Sequence, residues 1–228
     1  MKKSVTDAFS FSFMNRVHSR LCGFSMNTTD MPRYKGEIGT DIRKAAGIIK
    51  KNGIVIYPTE TVYGIGANIF SKDALQKVFA IKKRDANKPV SVAVSDFKMM
   101  KELAHIGERE WRFIEKFLPG PVTVLLRKKE KVPDALTSGS GLVGIRYPDH
   151  ETTIKLIELA GMPITSTSAN ISGEAPPVRV DEIKIRADYI IDGGECKGEP
   201  STVVDLVNCG IVRKGAKFEE VAAALKDY

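Results

Sequence analysis

From Thr40 onward, short apolar runs alternate with segments in which apolar residues recur every three or four positions, and no other feature restricts the fold as much. Ile42, Ala45, Ala46 and Ile49 keep the spacing of one helical face, and Gly53 stands where a C-terminal cap belongs. Residues 41–52 are therefore predicted to be a helix. IVIY (54–57) follows as a short buried strand. Ser71 can cap a second helix whose inner stripe is Leu75, Val78 and Phe79, and VSVAV (90–94) is the next strand. Helices are predicted over 96–103 and 107–118, the second carrying Trp111, Ile114 and Leu118 and ending at Pro119-Gly120-Pro121. VTVLL, VGIRY, PITST, YIID and TVVDLV are further strands, with helices near 151–160 and 180–186 between them. Phe218, Val221, Ala222 and Leu225 mark a final amphipathic helix. This mixed order predicts an α/β class: a single domain with a twisted mixed, partly parallel sheet flanked by helices. A chain of 228 residues suffices for one such domain and is too short for two ordinary ones.

Residues 1–33 show neither period and are rich in Ser, Thr and Asn, so they are expected to be a poorly ordered extension, with the catalytic domain over 34–228. An organelle transit peptide and an over-extended start, with Met26 or Met31 as initiator, are alternative readings of the same segment. No stretch approaches the ~20 apolar residues of a membrane helix, and a soluble, cytoplasmic protein is expected. Cys22, Cys196 and Cys209 are odd in number and far apart, which argues against a disulfide framework or zinc site. His18, His105 and His150 are isolated from one another and read as surface or packing residues, so no metal site is expected. Chemistry then falls to lysine, arginine, hydroxyl and amide groups. Of the net charge of +7, residues 1–40 contribute +3, from six Lys/Arg against three Asp/Glu. The remaining +4 fits one bound polyanionic nucleotide without requiring a nucleic-acid-binding stripe.

There is no G-x-x-x-x-G-K-[ST] phosphate loop. Gly139-Ser140-Gly141-Leu142-Val143-Gly144 matches G-x-G-x-x-G, but a strand pattern ended by Pro148 follows where a dinucleotide fingerprint needs a helix, so it reads as a flexible loop. More informative is Lys82-Lys83-Arg84-Asp85-Ala86-Asn87-Lys88-Pro89. Lys82 falls seven residues after Leu75, on the buried face at the helix C-terminus, and Arg84 and Lys88 follow it. Such cations also satisfy a helix dipole, for ~0.3–1 kcal/mol each. Truncating Lys82 or Arg84 at a helix end is expected to cost no more than ~1 kcal/mol of stability. In Thr165-Ser166-Thr167-Ser168-Ala169-Asn170-Ile171-Ser172-Gly173, six of nine side chains are hydroxyl or amide groups, which suits either a ligand crevice at a strand end or a polar turn. Pro58-Thr59-Glu60-Thr61-Val62-Tyr63-Gly64, Pro119-Gly120-Pro121-Val122-Thr123 and Ser201-Thr202-Val203-Val204-Asp205 add strand-end loops with hydroxyls.

These five stretches, in this order and across residues 38–215, resemble the YrdC-like family of threonylcarbamoyl-AMP synthases. The resemblance implies a large basic concave cavity. It also implies a nucleotidyltransferase that makes threonylcarbamoyl-AMP and pyrophosphate from L-threonine, bicarbonate and ATP, with Mg²⁺ accompanying the ATP. Carried over by motif, the catalytic set is Lys82, Arg84, Ser168 and Asn170. The threonine set is Thr59, Thr61, Tyr63, Arg146, Ser166 and Ser201. The nucleotide set is Arg84, Lys88, Ser140, Leu142, Ser168, Asn170 and Arg213. The product would pass to a tRNA threonylcarbamoyl transferase complex for threonylcarbamoyladenosine modification of tRNA. Two departures stand out: the front extension lies outside the resemblance, and the additional C-terminal domain of larger relatives is missing, which implies the single-domain form. An RNA-binding module without ATP turnover, or weak RNA binding beside the synthase activity, is the rival from another class. The few aromatics and the lack of an RNP signature argue against it. A carbamoyl-transfer domain of hydrogenase or antibiotic maturation would bring zinc motifs or a further module that this chain lacks.

Overall fold

A computed structural model describes residues 36–85 and 87–228. The expectations for residues 1–33 lie outside the described residues. Along the chain come β1 (Glu37–Gly39), α1 (Ile42–Lys50), β2 (Val55–Tyr57), β3 (Gly64–Gly66), α2 (Lys72–Lys82), β4 (Ser91–Ala93), α3 (Phe97–Leu103) and α4 (Glu108–Phe117). There follow β5 (Val122–Arg127), α5 (Asp134–Thr137), β6 (Leu142–Arg146), α6 (Glu151–Ala160), β7 (Ile164–Ser168), β8 (Tyr189–Ile191), β9 (Thr202–Asp205), β10 (Gly210–Arg213) and α7 (Phe218–Lys226). Asp41, Ser71 and Asp96 start α1, α2 and α3 by accepting the backbone N–H of the residue three positions on.

The strands join in the order β1-β8-β2-β3-β7-β4-β6-β5-β9-β10. Pairs β1/β8, β2/β8, β4/β6 and β5/β9 are parallel, and the other pairs are antiparallel, so the sheet is mixed. One half of it, around β2 and β8, is covered on both faces. Ala45, Ala46 and Ile49 of α1 with Leu156 and Ile157 of α6 pack one side, and Ala74 and Val78 of α2 pack the other. In the other half, alternate residues Val92, Val122, Val124, Leu126, Val143, Ile145 and Val204 share a core with α3, α4 and α7. Their neighbours Ser91, Thr123, Arg146 and Val203 turn to the opposite face, where they line a cavity.

Four elements escape the sequence pattern. β3 is Gly-Ile-Gly, because a Cβ at Gly64 or Gly66 would stand 3.0–3.1 Å from the Tyr57 ring, and glycine carries no strand signal. Strands β1 and β10 are short sheet edges, and α5 is a single turn. The helix expected over 180–186 shrinks to one 3₁₀ turn at Val180–Glu182. Ile183 and Ile185 are both buried with Lys184 exposed between them, which is the period of extended chain.

Candidate active site

The loop between β2 and β3 is built on one hydroxyl. Thr59 Oγ1 accepts the backbone N–H groups of Thr61 and Val62, both at 3.2 Å, and donates to the Val62 carbonyl at 2.7 Å. Fixed this way, the loop meets the end of β6. Arg146 Nη2 donates to Thr61 Oγ1 at 2.6 Å and to Thr59 Oγ1 at 3.5 Å, and it lies 3.1 Å from Glu60 Oε1. At the far side of the cavity, Arg213 of β10 holds the Ser201 carbonyl through Nη2 at 2.7 Å and the Ser201 hydroxyl at 3.0 Å. That hydroxyl is also within 3.0 Å of Thr123 Oγ1. Arg84, just past α2, is half-buried and donates to the carbonyls of Lys88 and Pro89.

Lys82 sits behind this surface. It is 2% exposed, and its Nζ donates to the Ser168 and Asn170 carbonyls and to Asn170 Oδ1. Ser168 Oγ bonds the same Oδ1, and Asn170 Nδ2 reaches the Glu174 carbonyl. The polar run after β7 is thus a loop organised on one buried ammonium. Burial first, and the charge of Arg84 second, lower its pKa to about 8. Truncation here would take a donor from the Ser168 and Asn170 carbonyls, while Asn170 Oδ1 keeps the Ser168 hydroxyl, so Lys82→Ala is expected to cost more stability than a surface cation would.

The cavity measures about 290 Å³, at the lower end of ligand pockets. Thr59, Tyr63, Arg84, Arg146, Ser166, Ser168, Asn170, Ser201 and Arg213 line it. Lys82 and Thr61 stand one layer behind, bonded to lining residues. Lys88, Ser140 and Leu142 are outside the lining. Lys88 is exposed on the loop that Arg84 grips, and Ser140 Oγ accepts the Leu142 N–H across the turn entering β6. Leu142 shares the strand face of Arg146 but lies four residues, ~13 Å, away along β6. Gly139-Ser140-Gly141 therefore opens a strand and no helix. Tyr57, Ser91, Thr123, Glu174, Pro200 and Val203 also line the cavity. Ser91 and Thr123 were legible: each is a lone hydroxyl among valines on an alternating strand. Glu174 and Tyr57 carried no such signal.

Three guanidiniums thus face one space. The pKa of Arg213 is lowered first by burial and then by the charges of Arg146 and Arg84, and Glu174 lines the same space. Among the described residues no cluster of three metal-ligating side chains occurs, and no helix is long and apolar enough to cross a membrane.

A family model for Sua5/YciO/YrdC proteins, described as "Telomere recombination", matches residues 47–215. The chain is 42% identical over 171 residues to a threonylcarbamoyl-AMP synthase of Pyrococcus abyssi, covering 72% of this chain and 50% of that protein. It is 42% identical over 179 residues to a putative threonylcarbamoyl-AMP synthase of Methanocaldococcus jannaschii, covering 75% and 84%. The chain thus spans about half the length of the P. abyssi relative. Among solved structures, P. abyssi Sua5 complexed with L-threonine superposes with a TM-score of 0.75 at 37% identity, over 82% of this chain and 60% of that one. E. coli YciO superposes at 0.73 with 26% identity, over 80% and 96%. A matched model across most of the domain, relatives above 40% identity and a shared α/β architecture agree that this chain belongs to the Sua5/YciO/YrdC family.

Proposed function

We propose that the chain is an L-threonylcarbamoyladenylate synthase, a nucleotidyltransferase joining L-threonine, bicarbonate and ATP into threonylcarbamoyl-AMP with release of pyrophosphate. The observation that carries this reading is the convergence of Arg84, Arg146 and Arg213 on one cavity that also holds the hydroxyls of Thr59, Ser166, Ser168 and Ser201, the Asn170 amide and one carboxylate, Glu174. Three anionic groups must meet in that reaction: a carboxylate, a carbamate and a triphosphate. Fixed cations and hydrogen-bond donors stabilise such a gathering without a protein nucleophile.

In this reading Arg146 takes the threonine carboxylate, with Thr59, Thr61, Tyr63, Ser166 and Ser201 shaping its pocket. The threonine amine condenses with bicarbonate to a carbamate: an N–C bond forms, a C–O bond breaks and water leaves. A carbamate oxygen then bonds the α-phosphorus of ATP as the bond to pyrophosphate breaks. Arg84, Lys88, Arg213 and the Ser168–Asn170 loop take the nucleotide, and Ser140 and Leu142 extend that side. Mg²⁺ travels with the ATP phosphates. Residues 34–228 act as the catalytic domain, with 1–33 as an extension dispensable for turnover, and the product passes to a tRNA-modifying transferase in the cytoplasm. The threonine complex of P. abyssi Sua5 supports the amino-acid half of this assignment. An RNA-binding module is not favoured, since synthases of P. abyssi, Bacillus subtilis and Bos taurus are all similar to this chain.

The test is product mass spectrometry and pyrophosphate release with ATP and Mg²⁺. Release is expected only when threonine and bicarbonate are both present. ATP consumption that ignores threonine, or orthophosphate in place of pyrophosphate, removes the assignment.

A further inference from the structure

Glu60 is the one carboxylate of the Pro58–Tyr63 loop, between the hydroxyls of Thr59 and Thr61, and its position is unusual. Its side chain is 9% exposed, and that of its partner Arg146 is 7% exposed. A carboxylate withdrawn this far from water is costly unless a cation and hydrogen bonds replace the solvent. The cation is present, with Nη2 at 3.1 Å from Oε1, but neither carboxylate oxygen has a hydrogen-bond partner. Nε of Arg146 is likewise buried without one. The unpaired donor and the unpaired acceptors therefore belong to two side chains already in contact. His150 nearby also has a buried Nδ1 without a partner, and burial lowers its pKa against the opposing pull of Glu60.

Three consecutive residues, Thr59, Glu60 and Thr61, engage the same Nη2 of Arg146. A guanidinium gripped at one nitrogen by two hydroxyls still swings about that point. The Glu60 carboxylate at 3.1 Å from the same Nη2 adds a charged third contact there, and this contact limits the swing. From this geometry we infer that Glu60 is a positioning residue that orients the Arg146 guanidinium toward the carboxylate of the amino-acid substrate. It acts through Arg146 and does not line the cavity. The inference rests on the synthase reading and deepens it, by giving one buried acid control of amino-acid affinity.

The test measures L-threonine binding to the full chain by calorimetry, without turnover, for the unsubstituted protein, Glu60→Gln, Arg146→Ala and the double variant. Glu60→Gln keeps the shape and removes the charge, and is expected to weaken threonine binding on the order of tenfold. It should raise KM for threonine while kcat stays within about twofold, and the double variant should bind no worse than Arg146→Ala alone. If Glu60→Gln does not fold, Glu60→Asp keeps the charge on a shorter stem and should weaken binding several-fold. Unchanged affinity in a folded Glu60 variant, or losses that add in the double variant, overturns the inference and leaves the synthase reading standing. An unsubstituted protein that binds no threonine removes both.

Discussion

At the scale of single residues, two cations that the sequence placed side by side prove to do different work. Arg84 faces the cavity and its bonds go to two carbonyls of its own loop, so Arg84→Ala is expected to cost little stability, no more than ~1 kcal/mol. Turnover should fall roughly a hundredfold to a thousandfold, as when other preorganised donors are removed. Pyrophosphate release and thermal melting on that variant check both halves, and normal turnover would take Arg84 out of the site. Lys82 works through its proton. As an ammonium it has three donors for three oxygens, and as an amine it has only two. With its pKa drawn down to about 8, the Ser168–Asn170 loop should loosen and activity should fall as pH rises through that value. Stability should move the other way. The unfolded chain holds this proton up to about 10.5, so between 8 and 10.5 it binds more protons than the folded protein, and this group's contribution to stability rises with pH. A pH profile of pyrophosphate release that stays flat from 7 to 9.5 would refute this role for Lys82.

At the scale of elements, the site depends on a strand that hardly looks like one. The hairpin of β2 and β3 carries the Pro58–Tyr63 loop, and it closes only because Gly64 and Gly66 leave room for the Tyr57 ring. Tyr57 is fully buried, and its hydroxyl is tied to the Thr165 carbonyl of β7, which restrains its ring. A Cβ at Gly66 would meet that ring and Ile164 Cδ1, each at 3.1 Å. Gly66→Ala is therefore expected to cost ~1–3 kcal/mol by overpacking, a fall of ~2–4 °C in Tm per kcal/mol. Differential scanning calorimetry reads it directly, and an unshifted Tm would mean that β2 and β3 yield more easily than their packing implies. The longer helices were legible because their caps and apolar stripes are local. Asp41 and Ser71 announce α1 and α2, whereas β3 and β10 exist only through their neighbours.

At the scale of the whole molecule and among the described residues, helices pack on both faces of one half of the mixed sheet and on one face of the other, and the cavity with its arginines and hydroxyls opens on the remaining face. By itself the sequence determined the α/β class, the principal helices and strands, and the five motif stretches. Each of these is written in local spacing, capping residues and side-chain type. Through the family resemblance it also nominated Arg84, Arg146, Ser168, Ser201 and Arg213, all of which line one cavity. Only the tertiary structure decided which groups face that cavity and which stand behind it. Lys82 reaches Ser168 and Asn170 across 86 and 88 residues, and Arg146 reaches Thr61 across 85. Local spacing cannot encode contacts of that range. The direction in which a buried lysine or glutamate points is settled by whichever acceptor or cation the fold brings within hydrogen-bond reach, because an ion taken out of water must find its partner there.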